Sequence, residues 1–496
     1  MKLTHLCLLG QLFASTNAIN DERLSAQRAG ANCAQACTTL ASEFPGRLHY
    51  KDDDSGFTIW DQKQLETIYL CRVQPESATE VSRVLRVLVE NWCRFAVKCG
   101  GHSRFPDDSV SVGGVTIDLG LINDTVVSND RTTARVGGGS LSRQVFAALD
   151  PYGLAYVGGR VGQVGIGGFT LGGGSSVLAS QHGWALDNVL EYEVVLPNAT
   201  IVTASENTHA DLYYALRGGG NNFGIVTSFN VSVFPQGSVY TGSRTFGHNQ
   251  TGLVLEEAEK IFAIQDYDDT AIGLEYRYAY TQQNGWSIST TQRYAEPVLS
   301  PPVFDTLNSI PALGNLTGGI NSLANSTSFE GPLGVTRNVF ATLTHYPSTE
   351  LGKKGLDILK KLVEARNLTG LNPQLITYSI PAAVIELSKR RGGNALGLDA
   401  EGHLVINLFS LSWNDSSMDD TAYSLAEDFI ADFQKAAKSL DAFHPFVYIN
   451  YANKGQDVFA SYGKDNQKRL AEVQKAIDPQ GVFVSSGLWT GFFKVR

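Results

Sequence analysis

The sequence predicts an α+β protein with two domains, and three features of the chain support this prediction. Its 496 residues exceed the length that one hydrophobic core usually organises. Residues 67–238 combine short strands and helices with long runs of glycine. Residues 239–445 instead alternate longer helices with strands, as expected for an antiparallel sheet backed by helices. We therefore expect a glycine-rich domain, a second α+β domain, and a tail at residues 446–496.

The first domain begins with a strand–helix–strand unit. Residues 68–73 form a strand-like run, and Ser77 and Glu80 have the spacing of a helix capping box. Valines and leucines within residues 81–88 then repeat on one face of a helix. A second strand at residues 94–97 completes the unit and leads directly into a glycine loop.

This loop is the centre of the predicted functional site. A side chain at Gly100 or Gly101 would limit how closely the backbone could approach a ligand. His102 presents an imidazole at the same point, which suits a large, flat and partly anionic cofactor. Further glycine-rich runs follow at residues 137–139, 158–183 and 218–224.

Hydrophobic periodicity and turn residues predict the remaining elements. In the first domain we expect strands at residues 115–119, 133–136 and 225–234, a hairpin across 191–203, and helices at 141–149 and 211–217. In the second domain we expect strands at residues 272–281, 286–294 and 404–413, and helices at 252–265, 355–366 and 421–440. In the tail we expect a strand at residues 446–451 and a helix at 466–477.

Composition and missing motifs exclude several classes of function. The formal net charge is −10, and no cluster of Lys or Arg forms a nucleic-acid footprint. After the N-terminus, no apolar run reaches the roughly 18 residues that a membrane span needs. The Walker loop, the Gly-x-Ser-x-Gly elbow and the His-Glu-x-x-His motif are absent from the sequence. Gly165 and Gly167 lack the Rossmann spacing and open no obvious helix, which argues against a nicotinamide enzyme.

The N-terminus predicts entry into the secretory pathway. Lys2 supplies a positive charge, residues 6–13 form a short apolar core, and residues 16–18 have the small side chains of a cleavage site. We therefore expect a signal peptide at residues 1–18, an irregular lead-in at residues 19–66, and a secreted or vesicular location. Eight glycosylation sequons agree with this location. They begin at Asn123, Asn198, Asn230, Asn249, Asn315, Asn325, Asn367 and Asn414.

Four cysteines before the glycine loop suit disulfides in such an oxidising environment. Cys33, Cys37, Cys71 and Cys93 could form two bridges in any of three pairings. The short spacing between Cys33 and Cys37 is also found in metal sites, but the sequence offers no second pair of metal ligands at a similar spacing. We therefore favour disulfide bridges and predict no metal site. Cys99 is left over, and we expect it to pack as a small buried thiol beside the cofactor.

The order of these motifs resembles the berberine-bridge-enzyme-like flavoproteins of the vanillyl-alcohol-oxidase superfamily. The motifs that carry the resemblance are Gly-Gly-His-Ser at residues 100–103, the glycines after Val136, the run at 164–174, Asp187-Asn188-Val189 and Phe223-Gly224-Ile225-Val226. The resemblance spans residues 71–235 and resumes near residues 448–451 and 478–479. It implies a PCMH-type FAD-binding domain at residues 67–238 that is closed by the C-terminal tail, with residues 239–445 as the substrate domain.

The resemblance also implies FAD as the cofactor, attached covalently through His102 to the 8α-methyl group of the flavin. The lone pair of a neutral imidazole can attack this methyl carbon when the flavin is oxidised. Many relatives use a cysteine as a second tether, but Val161 stands at the matching position and has no nucleophile. We therefore predict a single covalent link.

Further residues acquire expected roles from the same resemblance. Val164 matches the position that controls the approach of oxygen, where valine is associated with oxidases; an ordinary core valine is the alternative. The other residues that we expect around FAD are Lys98, Cys99, Gly100, Gly101, Ser103, Gly137, Gly138, Gly165, Gly168, Gly172, Gly173, Asp187, Asn188, Gly224, Ile225, Val226 and Asn450.

Tyr451 is the predicted catalytic base, because it matches the base of plant cannabinoid-synthase-like relatives. The reference pKa of a phenol is about 10, so this role requires positive charge or hydrogen bonds near the hydroxyl. A structural tyrosine in an aromatic-lined pocket is the alternative. Tyr448 lies three residues earlier, so on a strand its side chain would face the opposite side.

Together these features predict an FAD-linked oxidase. It would take hydride from an alcohol, an amine or an activated C–H group of a small molecule, and O₂ would reoxidise FAD to give H₂O₂. We expect a monomer that acts on a secondary metabolite, with oxidative ring closure as one outcome. The alternatives are an FAD-dependent dehydrogenase or cyclase that does not use O₂, a carbohydrate oxidase, and a flavin-less binding protein that has kept the fold.

Overall fold

A computed structural model describes residues 32–267, 269–327, 331, 333–366 and 369–496. The predicted signal peptide, the start of the lead-in and the sequon at Asn367 lie outside these residues. The described residues form three larger β-sheets and one two-stranded sheet, with helices packed between and around them. This architecture confirms the predicted α+β class.

The first sheet is a small unit in which parallel strands surround a central strand. Its elements are α1 (Cys33–Glu43), β1 (Leu48–Tyr50), α2 (Gln62–Leu65), β2 (Cys71–Val73), α3 (Ala78–Glu90), β3 (Phe95–Lys98) and β4 (Val115–Asp118). β2 and β3 both run parallel to β4, and β1 joins β2 antiparallel. Helix α3 begins as predicted, with the Ser77 hydroxyl accepting the N–H of Glu80 at 3.3 Å. The unit therefore delivers the chain from β3 into the glycine loop.

Two disulfides fasten helix α1 to this unit. Cys33 bonds Cys93, and Cys37 bonds Cys71, so one of the three possible pairings is selected. Both bridges are buried in the core that α1 shares with α3. Cys99 is the free cysteine of the described residues.

The second sheet follows the glycine loop and is entirely antiparallel. The elements of this region are β5 (Thr125–Val127), β6 (Thr133–Gly137), α4 (Ser142–Leu149), β7 (Leu154–Ala155), α5 (Ile166–Leu171), α6 (Ala179–His182), β8 (Val189–Val195), β9 (Ile201–Ser205), α7 (Ala210–Leu216), β10 (Ile225–Ser232) and β11 (Phe234–Pro235). The strand order is β5-β6-β10-β8-β9, and β7 pairs separately with β11. The predicted hairpin is the β8–β9 pair, which confirms that prediction.

The glycine-rich run at residues 158–183 contains the two short helices α5 and α6. Gly165 has extended backbone and forms the N-cap of α5, so the expectation that no helix opens here is wrong. The helix was missed because two of its six residues are glycines, which weaken a helical pattern. Ile166 and Leu171 are buried and anchor this helix in the core.

The third sheet has eight antiparallel strands and forms the body of the second domain. Its region contains β12 (Val239–Gly247), α8 (Thr251–Tyr267), β13 (Ile272–Thr281), β14 (Gly285–Tyr294), α9 (Asp305–Ser309), β15 (Thr317–Asn321), α10 (Leu323–Ser326), β16 (Arg337–His345), α11 (Thr349–Arg366), β17 (Asn372–Ile380), α12 (Ala382–Arg390), β18 (Leu404–Trp413), α13 (Asp419–Ser439) and β19 (Phe443–His444). The order is β15-β12-β14-β13-β17-β18-β16-β19. Helix α8 packs on β13, α13 packs on β16, and α11 contacts both helices. An antiparallel sheet backed by helices is therefore confirmed.

The C-terminal tail returns to the first sheet. It contains α14 (Val458–Ser461) and the predicted helix α15 (Lys464–Ile477). The N–H of Phe95 in β3 donates to the carbonyl of Leu488 at 2.7 Å, and the N–H of Thr490 donates back to Phe95 at 2.9 Å. These bonds close the first domain with the end of the chain, as the resemblance implied.

The predicted strand at residues 446–451 is wrong. Residues 449–451 form a turn, and the N–H of Tyr451 donates to the carbonyl of Tyr448 at 2.9 Å. Aromatic and apolar residues in this segment suggested a strand, but their side chains are buried around a turn.

Among the helices of the described residues, none has both the length and the apolar character that a membrane span requires. The same residues contain no group of three or more His, Cys, Asp or Glu side chains placed to hold a metal ion.

Candidate active site

The loop that follows β3 is held at both ends by side chains. Lys98 Nζ lies 3.0 Å from Asp118 Oδ1, which ties the start of the loop to β4. Gly101 has a φ of +66°, a conformation that favours glycine. The carbonyl of Ser103 accepts a hydrogen bond from the side chain of Gln64. His102 is therefore presented from a fixed backbone.

The imidazole of His102 is neutral at physiological pH. It stacks on the indole of Trp60, with ring centroids 4.0 Å apart and planes inclined by 11°. Burial, helped by the positive charge of Arg104, lowers the pKa of His102 to about 4. A neutral imidazole keeps a free lone pair, which a nucleophile requires.

Gly100 and Gly165 allow two backbone segments to lie in close contact, because neither has a side chain. A Cβ on Gly100 would lie 2.4 Å from the nitrogen of Gly165, and a Cβ on Gly165 would lie 2.3 Å from the nitrogen of Gly100. Cys99 supports the same contact, because its sulfur accepts the N–H of Gly167 at 3.4 Å. Burial of the sulfur raises the pKa of the Cys99 thiol, so it stays protonated, although the residue as a whole is only half-buried.

Most of the other predicted glycines also lie against protein atoms. A Cβ would meet the backbone of Ile122 at Gly137, the backbone of Val226 at Gly138, the side chain of Asn450 at Gly172, the ring of Tyr448 at Gly173 and the backbone of Val195 at Gly224. Gly168 differs, because nothing lies within 4 Å of the Cβ position. Among the predicted glycines, all of them described, Gly168 is therefore the one that leaves room for a ligand at its α-carbon.

The predicted valines and isoleucine differ in how accessible they are. Val161 and Val164 are half-buried in one turn, in which the N–H of Val164 donates to the carbonyl of Val161 at 3.1 Å. Ile225 and Val226 in β10 are only 2% and 5% exposed. The side chains of these two β10 residues belong to the core, so only their backbone could contact a ligand.

The predicted polar pair after α6 is satisfied inside the protein. Asp187 Oδ1 lies 3.0 Å from Arg217 Nη2, and the Asn188 amide donates to the carbonyls of His182 and Trp184 at 2.7 and 2.8 Å. These contacts give Asp187 and Asn188 a structural role in holding the turn that precedes β8.

Asn450 connects the tail to the glycine-rich helix α5. Its amide donates to the carbonyl of Phe169 and to the Tyr448 hydroxyl, both at 3.0 Å. The carbonyl of Asn450 also accepts from Arg104 Nη1 at 3.2 Å. Asn450 therefore joins three segments that surround the predicted site.

Tyr451 and Tyr448 lie on the same side of the tail. Their ring centroids are 4.8 Å apart and their planes are inclined by 77°. The expectation that they face opposite sides is wrong, because it assumed a strand where the chain makes a turn.

The hydroxyl of Tyr451 accepts two hydrogen bonds from the protein. Arg160 Nη2 donates to it at 2.7 Å, and the hydroxyl of Tyr378 donates at 3.0 Å. Arg160 supplies the positive charge that a tyrosine base requires.

A buried carboxylate holds Arg160 in place. Glu275 Oε2 lies 2.9 Å from Arg160 Nη1 and 3.3 Å from Arg293 Nη1. Burial opposes the charge of Glu275, but the two arginines outweigh it and lower the pKa of this carboxyl to about 2. For Arg160, burial is likewise outweighed by Tyr451 and Glu275, which raise its pKa above the ordinary value. The charges of Glu275 and Arg160 therefore persist at neutral pH.

Strand register explains how these groups meet. β13 and β17 pair so that Glu275 stands opposite Tyr378, which places both side chains on one face of the sheet. A cavity of about 40 Å³, large enough for a few water molecules, lies beside Arg160, Glu275 and Tyr378.

The predicted tether and the predicted base belong to one continuous site. The Phe340 ring lies 5.7 Å from Trp60, which covers His102, and 6.5 Å from Tyr451. Sequence reasoning missed Trp60, Arg160, Glu275, Tyr378 and Phe340. A charged Glu275 inside a strand was a usable signal, but nothing in the sequence identified its partners.

Comparisons with known proteins identify the family of this chain. The sequence matches the family described as FAD binding domain over residues 69–205, and the family described as berberine and berberine like over residues 447–486. An FAD-dependent monooxygenase of Cochliobolus heterostrophus, tpcD, is 32% identical, and the match covers 92% of this chain and 93% of that protein. The chain belongs to the berberine-like family of FAD-dependent oxidoreductases.

One further relative and one structural neighbour of this flavoprotein are informative. A bifunctional solanapyrone synthase of Alternaria solani is 29% identical, with 95% of this chain and 92% of that protein covered. A glucooligosaccharide oxidase of Acremonium strictum, with 6-S-cysteinyl, 8α-N1-histidyl FAD, matches in structure with a TM-score of 0.75 at 18% identity. That match covers 93% of this chain and 99% of the oxidase. The structural likeness shows a common fold.

The residues of this flavoprotein fit an FAD molecule. Ser140 Oγ and Arg104 Nε are buried without a hydrogen-bond partner within the described part of the chain. Ser140 touches the loop, since its carbonyl lies 3.8 Å from the Cys99 sulfur, and Arg104 follows His102 closely. Polar groups of a bound ligand would satisfy both atoms. Open space at Gly168 and the neutral imidazole of His102 agree with the same ligand.

Proposed function

We propose that this flavoprotein is an oxidase that abstracts hydride from a small molecule and returns the electrons to O₂. The observation that carries the proposal is the Tyr451 hydroxyl, which accepts from Arg160 and Tyr378 and lies one aromatic ring from the stack that covers His102. FAD, when bound, supplies the hydride acceptor.

In this proposal Tyr451 is the catalytic base. Its ionised oxygen takes a proton from an O–H or N–H group of the substrate as the adjacent C–H bond breaks. Arg160 and Tyr378 donate to that oxygen and stabilise its negative charge, and Glu275 holds Arg160 at the required position. Because these groups are buried, their charges act on Tyr451 with little screening by water.

His102 is the proposed single covalent tether. Its neutral imidazole supports this role, and Val161 offers no second nucleophile at the position where relatives place a cysteine. Val164 in the same turn is the residue proposed to admit oxygen.

Relatives suggest the substrate class. One relative is named a monooxygenase and another a solanapyrone synthase, so we propose a secondary-metabolite substrate and include oxidative ring closure among its products. Oxygen insertion is the second candidate function, because several relatives carry the name monooxygenase.

We further propose that the protein is a secreted monomer with domain limits at residues 67–238, 239–445 and 446–496. The two disulfides suit an oxidising compartment. Six of the sequon asparagines are exposed, so glycans could be attached without disturbing the core: Asn123, Asn198, Asn249, Asn315, Asn325 and Asn414.

Two measurements test these proposals. Acid precipitation of the purified protein should leave yellow flavin in the pellet, and proteolysis should yield a peptide containing His102 with the mass of FAD added. Turnover under ¹⁸O₂ should then place the label in H₂O₂. Label in the organic product instead would replace the oxidase with a monooxygenase, and FAD reduction without oxygen consumption would indicate a dehydrogenase or cyclase.

A further inference from the structure

We propose that Trp60 is a positioning residue for His102, and that its indole ring orients the imidazole for covalent attachment of FAD. The inference rests on the proposed tether at His102. It concerns a residue of the N-terminal lead-in, which neither the glycine motifs nor the predicted FAD contacts include.

The geometry of the stack suits this role. The two rings are 4.0 Å apart and nearly parallel, so the indole covers one face of the imidazole. The lone pair of an imidazole nitrogen lies in the plane of the ring. A partner stacked on the face therefore restricts the tilt of that plane and leaves the edge free to meet a ligand.

Trp60 is itself anchored on both sides by its backbone. Its N–H donates to the carbonyl of Gly101 at 3.3 Å, and its carbonyl accepts the N–H of Gly334 at 3.0 Å. The first bond joins it directly to the residue before His102. The indole and the imidazole are therefore held in one frame.

Neighbours of Trp60 fasten this segment to the substrate domain. Asp61 is fully buried, accepts the N–H of Asn338 in β16 at 2.8 Å, and pairs with Lys63 Nζ at 3.0 Å. Gln64 Oε1 accepts the N–H of Ser109 at 2.9 Å, beyond the histidine loop. The segment bridges β16 and the loop, so the position of Trp60 does not depend on the stack alone.

The attachment step involves a defined exchange of bonds. An imidazole nitrogen bonds the 8α carbon, one C–H bond of the methyl group and the N–H bond break, and both hydrogens and two electrons pass to the flavin ring. Dioxygen then removes two hydrogens and two electrons as H₂O₂. Trp60 takes no part in this exchange and acts only through the orientation of His102.

Two apolar substitutions of Trp60 distinguish a role in orienting the His102 imidazole from a role in filling space. Trp60→Phe keeps a flat ring, whereas Trp60→Leu fills part of the same space without one. The full-length protein would be produced with limiting riboflavin and mixed with excess FAD, and the covalent fraction would be followed by in-gel flavin fluorescence after denaturation. We expect Trp60→Leu to attach FAD roughly 3- to 10-fold more slowly than Trp60→Phe, the size of effect that an aromatic pair contributes.

Controls distinguish this role from general stability. Trp286→Leu removes a comparable stack, in which the ring of Trp286 lies 4.7 Å from that of Tyr278, and should attach FAD at the wild-type rate. The Trp60→Leu and Trp60→Phe variants should have similar non-covalent affinities for FAD and similar melting temperatures. Equal attachment rates for Trp60→Leu and Trp60→Phe would overturn the inference. Wild-type protein with no covalent flavin would instead refute the proposed tether itself.

Discussion

The two ends of the active site are stabilised by different forces. His102 lies on a loop whose shape depends on close packing between Gly100 and Gly165 and on a stack with Trp60. Tyr451 lies on a turn, and its hydroxyl accepts hydrogen bonds from the charged side chain of Arg160 and the hydroxyl of Tyr378, which come from distant parts of the chain. The His102 loop therefore depends on close packing, whereas the position of Tyr451 depends on charge and hydrogen bonds. Substitutions at the loop should mainly change thermal stability and FAD binding, and substitutions around Tyr451 should mainly change the reaction rate and the pH dependence of stability.

The largest effect is expected at the base. Tyr451→Phe removes the oxygen that we propose takes the proton, and it should lower the rate of FAD reduction by about 100- to 10,000-fold, the usual contribution of a general base. Stopped-flow absorbance under anaerobic conditions measures this rate. Tyr462→Phe, which alters a buried tyrosine elsewhere in the tail, is the matched control. A Tyr451→Phe rate within about fivefold of wild type would remove Tyr451 from the mechanism.

The Glu275 carboxylate, which holds Arg160 beside the proposed base, should make the stability of the protein depend on pH. The pKa of Glu275 falls from the ordinary 4.5 to about 2 on folding, so its stabilising contribution is present above pH 4.5 and disappears as the pH approaches 2. This contribution is about 3 kcal/mol at neutral pH. In urea unfolding, the free-energy difference between wild type and Glu275→Gln should therefore shrink from pH 7 to pH 3. Glu386→Gln, an exposed glutamate on α12, should show no such change.

At the His102 loop, the effect of a substitution should depend on whether the added atoms fit, and not on charge. Gly165→Ala places a Cβ 2.3 Å from the nitrogen of Gly100 and should cost about 1–3 kcal/mol of stability. Gly168→Ala meets no protein atom, so thermal unfolding should change little while the affinity for FAD falls. If both alanine variants melted like wild type, the packing explanation of this loop would be wrong.

The smallest effect is expected at Cys99. The half-buried Cys99 packs between the loop and α5, so Cys99→Ala should lower the free energy of unfolding by about 1 kcal/mol. The amount of covalent flavin should not change, because the proposed tether is at His102. Loss of acid-stable flavin in Cys99→Ala, with His102 intact, would contradict a single histidyl link.

Sequence reasoning succeeded where a motif is local. The strand, the capped helix and the glycine loop before His102 follow each other within about forty residues, and each element carries its own pattern. The reasoning failed at residues 446–451, where alternating aromatic residues suggested a strand. There the chain turns, and burial of Tyr448 against Gly173, which follows α5, overrides the local pattern.

The sequence alone determined the glycine loop, because this loop depends on residue type at a short spacing. The chain's resemblance to the berberine-bridge-enzyme-like flavoproteins indicated the family and predicted the tether and the base. Only the tertiary structure decided that Arg160 and Tyr378 hydrogen-bond Tyr451 and that Trp60 covers His102. Arg160 and Tyr451 are 291 residues apart in the chain. Their contact depends on strand register and on the return of the tail, which no local pattern of side chains specifies.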